Sequence, residues 1–70
     1  MPLIDVSLGS GRTPEQIRRL ITELTEATHH AIGAPLANIR VIVREVDPNL
    51  WAAGGVTIAE RQASTEREKP

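Results

Sequence analysis

A few residues of this 70-residue chain are of types that do chemistry: a proline directly after Met1, arginines at 12, 40 and 44, and one tryptophan, Trp51. Pro2 follows a methionine whose removal is favoured when the next residue is small, and the mature chain would then start with a secondary amine. An ordinary α-amino group titrates near ~7.7–8.0. Desolvation and nearby cations disfavour its ammonium form and lower that value, which brings it towards the range that suits a general acid–base group. With Met1 retained, the same nitrogen is an amide and cannot act as a base. The plainer reading of Pro2 is a strand-leading proline. Arg12 precedes a helix and reads, by itself, as a solvated loop charge. Arg40 and Arg44 lie in a strand, where a half-buried guanidinium needs a partner or a ligand, and a planar guanidinium matches a carboxylate in a bidentate way. For Arg44 an acidic partner at a subunit interface is the favoured reading. Trp51 either plugs the core or lines a site.

These residues need elements to hold them. Residues 2–8 alternate, with Ile4, Val6 and Leu8 on one face and Leu3, Asp5 and Ser7 on the other, which predicts a strand; Gly9-Ser10-Gly11 breaks it. Thr13, Pro14 and Gln16 form a T-P-x-Q helix start with a capping box. Ile17, Leu20, Ile21, Leu24, Ala27, Thr28, Ala31 and Ile32 continue at helical spacing, and Gly33 with Pro35 beyond it marks the stop. Residues 39–46 are rich in β-branched types and predict a second strand. On it Ile39, Val41 and Val43 face one way and Arg40, Ile42, Arg44 and Val46 the other. Asp47-Pro48-Asn49 is a turn, residues 50–56 suit a short hairpin about Gly54 and Gly55, and residues 57–63 suit one helical turn. The expected division is a domain over 1–63 and a charged, mobile C-terminal tail over 64–70.

Strand, helix, strand at this spacing predicts a right-handed βαβ unit with parallel strands, an α/β fold. Two parallel strands leave their edges unpaired, and Leu3, Ile42 and Val46 have nothing to cover them. A chain this short is marginal alone, and there is no cysteine for a disulfide or thiolate metal site. A metal staple is not expected, because His29 and His30 are the only imidazoles and point in different directions on a helix; both read as helix-surface or interface residues. Self-association is the remaining source of stability.

Net charge is −1 and the pI about 6.1, without the basic excess of a nucleic-acid binder. No apolar run approaches the roughly 20 residues needed to cross a bilayer, and no signal peptide is visible, so a soluble cytoplasmic protein without membrane or nucleic-acid partners is expected. Ser64, His29 and Asp47 have no triad spacing. Gly9-Ser10-Gly11 lacks the Gly-Lys-Ser/Thr of a phosphate loop. Arg18-Arg19 and residues 66–69 read as solvated charge.

In order and spacing, Pro2, Gly11-Arg12-Thr13 with Glu15-Gln16, Ala34-Pro35-Leu36, Arg40-Val41-Ile42-Val43-Arg44-Glu45 and Trp51-Ala52-Ala53-Gly54-Gly55 resemble the 4-oxalocrotonate tautomerase (2-hydroxymuconate tautomerase) family over roughly residues 2–58. The resemblance implies βαβ protomers paired into four-stranded dimers, with three dimers making a hexamer, and a reaction without metal or organic cofactor. It implies that Pro2 removes a proton from an enol hydroxyl and returns it at carbon. Arg12 would bind a distant substrate carboxylate, and Arg40 the 2-keto or 2-hydroxy acid end while stabilising developing charge. Trp51 would wall the pocket and help to keep the proline's pKa low. The arginines would reach the proline from neighbouring subunits. The implied ligand is a small 2-hydroxy or 2-keto (di)acid.

Three positions depart from the family's habit and bear on substrate fit. Trp51 stands where phenylalanine is more common, Gly9 where a larger residue often lines the site, and Asn38 where serine often precedes the Val/Ile-Arg pair. The related 3-chloroacrylate dehalogenases need a water-activating carboxylate, but Ala53 stands at that place and Gly9 at the place of an additional arginine. Residues 63–67 echo one dehalogenase tail, a poor guide to chemistry. The alternatives to a 2-hydroxymuconate-type tautomerase are a non-catalytic or partner-dependent subunit of a hetero-oligomer, a phenylpyruvate-type keto–enol tautomerase and, as the weakest, a dehalogenase-like hydratase.

Overall fold

The computed structural model describes residues 2–68, with side chains over 2–64. The chain runs β1 (Leu3–Gly9), α1 (Pro14–Ile32), a 3-10 helix (Leu36–Asn38), β2 (Arg40–Val46), a second 3-10 helix (Pro48–Leu50), β3 (Ala52–Ala53), β4 (Val56–Thr57) and α2 (Ile58–Glu68). β1 and β2 pair in parallel, with Leu3 opposite Arg40 and Gly9 opposite Val46. The expected βαβ unit is therefore present, and the alternating strand faces follow the sequence pattern.

The start of α1 is set by the Thr13 capping box. Thr13 Oγ1 accepts from the Gln16 amide at 3.1 Å, and Gln16 Oε1 accepts from the Thr13 amide at 2.9 Å. Gly33 ends the helix in the left-handed region at φ 71°, where a side chain would be strained. Ile17, Leu20, Ile21, Leu24 and Thr28 are half-buried, whereas Ala27, Ala31 and Ile32 are exposed. A 19-residue helix is about 28 Å long and a seven-residue strand spans about 20 Å, so α1 is longer than the strands it packs on.

Gly54 and Gly55, at φ 61° and 81°, make the two-residue turn between β3 and β4, where positive φ at both positions matches the twist of a hairpin. α2 departs from the expected single turn and tail. The helix crosses residue 63, so residues 64–68 are helical; residues 69–70 of the expected tail lie outside the described residues. Its start is a second capping box. Thr57 Oγ1 accepts from the Glu60 amide at 3.1 Å, and Glu60 Oε1 accepts from the Thr57 amide at 3.2 Å.

One protomer hardly has a core. Among the described residues Ile39, 9% exposed, is the one buried hydrophobic, while Leu3 is 58%, Ile42 40% and Leu50 79% exposed. The radius of gyration is 15.9 Å, against roughly 11 Å for a compact chain of this length. The accessible surface is 5392 Å², where a compact monomer of this mass would show about 4,300 Å². Apolar surface left open to this extent calls for a covering partner.

Candidate functional site

Pro2 leads into β1 and is half-buried. Its carbonyl accepts from the Arg40 amide at 3.0 Å, which joins the first residues of both strands. Arg40 opens β2 with an exposed side chain on the face opposite α1. Asn38, two residues earlier, closes the first 3-10 helix, its amide donating to the Pro35 carbonyl at 2.9 Å. The parallel register thus brings three of the sequence candidates, Pro2, Asn38 and Arg40, to one end of the sheet.

The other three gather at the opposite end. Gly9 is the last residue of β1 and pairs with Val46 at the end of β2. Arg12, in the loop before α1, donates from Nη1 to the Gly9 carbonyl at 2.7 Å, so the loop folds back onto the strand end. The Trp51 carbonyl accepts from the Ile58 amide at 2.9 Å, and a Cβ placed on Gly9 would lie 3.9 Å from Ile58 Cδ1. Ile58, at the start of α2, thus lies near both Trp51 and Gly9. Beside Arg12 a groove of about 340 Å³ is lined by Arg12, Pro14, Ile17, Arg18, Ile21 and Glu45. Arg18 and Glu45 had no assigned role from sequence; Arg18 reads as solvated charge, and Glu45 is brought to the groove by the register of β2.

From Leu3 to Gly9 is six strand steps, about 20 Å, far beyond the reach of an arginine side chain. Within one protomer Pro2 and Arg12 therefore cannot act on the same small molecule. Arg44 is also placed differently from the favoured expectation of a partner at a subunit interface. Its Nε and Nη2 donate to both carboxylate oxygens of Asp5 in the same chain, at 3.2 and 3.1 Å. Asp5 lies on the same sheet face, one strand over, within bidentate reach. This hydrogen bonding, with the Asp5 charge, raises the guanidinium above its ordinary value.

The sequence matches the Tautomerase enzyme family over residues 2–61. The chain belongs to the tautomerase family. It is 35% identical over 63 residues to a protein of Lactiplantibacillus plantarum named "Probable tautomerase", covering 90% of this chain and 98% of that one. In structure it is similar to TomN, a 4-oxalocrotonate tautomerase homologue of the tomaymycin biosynthetic pathway, with a TM-score of 0.87, 45% identity and coverage of 91% and 98%. It is also similar to a chain of a heterohexameric 4-oxalocrotonate tautomerase from Chloroflexus aurantiacus, with a TM-score of 0.81, 38% identity and coverage of 86% and 97%. Tautomerase membership supports isomerase activity, and the β-α-β arrangement is that of the 4-oxalocrotonate tautomerase fold. Among the described residues no helix is long and apolar enough to cross a membrane.

Proposed function

We propose that this chain is a cofactor-independent keto–enol tautomerase of the 2-hydroxymuconate type, with Pro2 as general acid–base once Met1 is removed. The Pro2 nitrogen takes the proton of the substrate's 2-hydroxyl. The oxygen electrons close to the C2 carbonyl, the conjugated double bonds shift, and the distal carbon takes a proton from the Pro2 ammonium. No net charge or electron leaves the substrate. Arg40 holds the acid end beside the reacting oxygen and stabilises the charge developing there. Arg12 binds a distal carboxylate as a planar, bidentate partner. Trp51 walls the pocket, and Gly9 and Asn38 shape its ends. A cytoplasmic setting fits this reading.

The observation that carries the proposal is the sorting of these residues to two ends of one sheet, Pro2 and Arg40 at one and Gly9, Arg12 and Trp51 at the other. A copy whose Arg12 end meets the Pro2 end of its neighbour supplies what the protomer lacks. Pairing into four-stranded dimers and a trimer-of-dimers hexamer would do this and would cover Leu3 and Ile42. The partner in such an assembly can also be a different chain, and the similarity to a heterohexameric relative favours keeping that second reading.

The test is ketonisation of 2-hydroxymuconate, followed by absorbance, on protein whose intact mass shows that Met1 is gone. Rapid ketonisation lost in Pro2→Ala supports the reading. Absence of turnover with a free Pro2 contradicts a self-sufficient enzyme and leaves the partner-dependent subunit, which native mass of the purified assembly would reveal as two chain types.

A further inference from the structure

We propose that His29 is a positioning residue for the Pro2–Arg40 end of the site, a role that rests on the reading of that pair given above. His29 lies in the last turn of α1 and is half-buried. Its Nδ1 sits 2.7 Å from the Ala34 carbonyl oxygen. A carbonyl carries no proton, so Nδ1–H is the donor and the ring is fixed in orientation. The His29 carbonyl meanwhile accepts from the Gly33 amide at 2.9 Å. One residue thus holds the Gly33–Ala34 turn at two successive points, one by backbone and one by side chain.

Hydrogen bonds continue from that turn to the site. The Asn38 amide donates to the Pro35 carbonyl at 2.9 Å, the Ile39 amide to the Leu36 carbonyl at 3.2 Å, and the Arg40 amide to the Pro2 carbonyl at 3.0 Å. Pro35 has no N–H of its own to tie the turn down. Ile39, the one buried hydrophobic among the described residues, anchors this segment. Ala34 is half-buried, and its carbonyl takes the imidazole N–H as a partner. Without the imidazole the turn loses its side-chain tether, and the 3-10 helix that sets the first residue of β2 is free to shift. Misplacement of a catalytic group on this scale is enough to slow turnover.

The test compares assembled wild type, His29→Leu and His29→Asn by amide hydrogen exchange and by kcat and KM for 2-hydroxymuconate. Leucine keeps bulk and helix propensity but removes the donor. The asparagine Nδ2 sits at the same distance along the side chain as histidine Nδ1 and keeps it. In His29→Leu we expect the Ile39 and Arg40 amides to exchange about tenfold faster. The middle of α1 should be unchanged, kcat should fall about tenfold and KM should hold. His29→Asn should recover both quantities. Unchanged exchange at Arg40 in His29→Leu overturns the proposal. So does faster exchange with kcat intact, a uniform rise across α1, or failure of asparagine to restore either readout. Exchange decides the His29–Ala34 tether whether or not 2-hydroxymuconate turns over, so an inactive wild type with the expected exchange pattern contradicts the functional reading alone.

Discussion

The two ends of the β1–β2 ribbon hold their functional residues in different ways. At the Pro2 end the strand starts are joined by backbone, with the His29 side chain tethering the turn that precedes β2. Pro2 and Arg40 are locked by a hydrogen bond between strand starts, and Arg40 follows directly on the buried Ile39. At the Gly9 end Gly9 closes β1, but Arg12 and Trp51 ride on loops. Arg12 is held by one side-chain bond to the Gly9 carbonyl, and the Trp51 carbonyl by the amide of Ile58 at the start of α2. Proton transfer needs tight placement, whereas gripping a distal carboxylate tolerates more play. The division of labour proposed for the site therefore follows the stiffness of the scaffold beneath it.

This contrast can be broken or sharpened by substitution. Pro2→Ala should lower kcat/KM by about 100-fold or more, with the oligomer unchanged by native mass. Arg40→Ala should cut kcat by about 100-fold, because its interaction strengthens as charge develops. Arg12→Ala should raise KM for a dicarboxylate about tenfold and leave kcat and monoacid turnover nearly unchanged. Equal, small effects of the two arginine substitutions in steady-state kinetics would erase the difference between the ends. Thr57→Ala removes the α2 capping box and should cost about 1 kcal/mol. That loss is to be read by urea unfolding at fixed protomer concentration, because oligomer stability depends on it.

Much of the βαβ unit is legible in the sequence because its signals are local. Alternation marks both strands, Thr13-Pro14-Glu15-Gln16 marks the start of α1, and Gly33 marks its end. The Thr57-Ile58-Ala59-Glu60 box is as explicit as the one at Thr13, but few apolar residues follow it, so composition suggests a tail where the structure has helix. The Asp5–Arg44 pair is hidden for a different reason. Its partners are 39 residues apart; alternation puts both on the uncovered face, but only the register, Asp5 beside Ile42 and Ser7 beside Arg44, brings them diagonally within reach. Site residue types could be named from the sequence and the family resemblance. Their sorting to opposite ends, about 20 Å apart, depends on which strand positions pair, as does the contribution of Glu45 to the groove. The His29–Ala34 contact spans only five residues, but no spacing signal says which way an imidazole in the last turn of a helix points.

The central claim is that a working site takes Pro2 from one protomer and Arg12 from another. Mixing Pro2→Ala chains with Arg12→Ala chains, unfolding and refolding them together, and assaying a dicarboxylate substrate at low concentration tests this most directly. Random mixing should rebuild about a quarter of the sites with both groups intact, so activity should rise well above that of either parent. Activity no greater than the average of the two parents, in assemblies shown by mass to be mixed, would contradict the account.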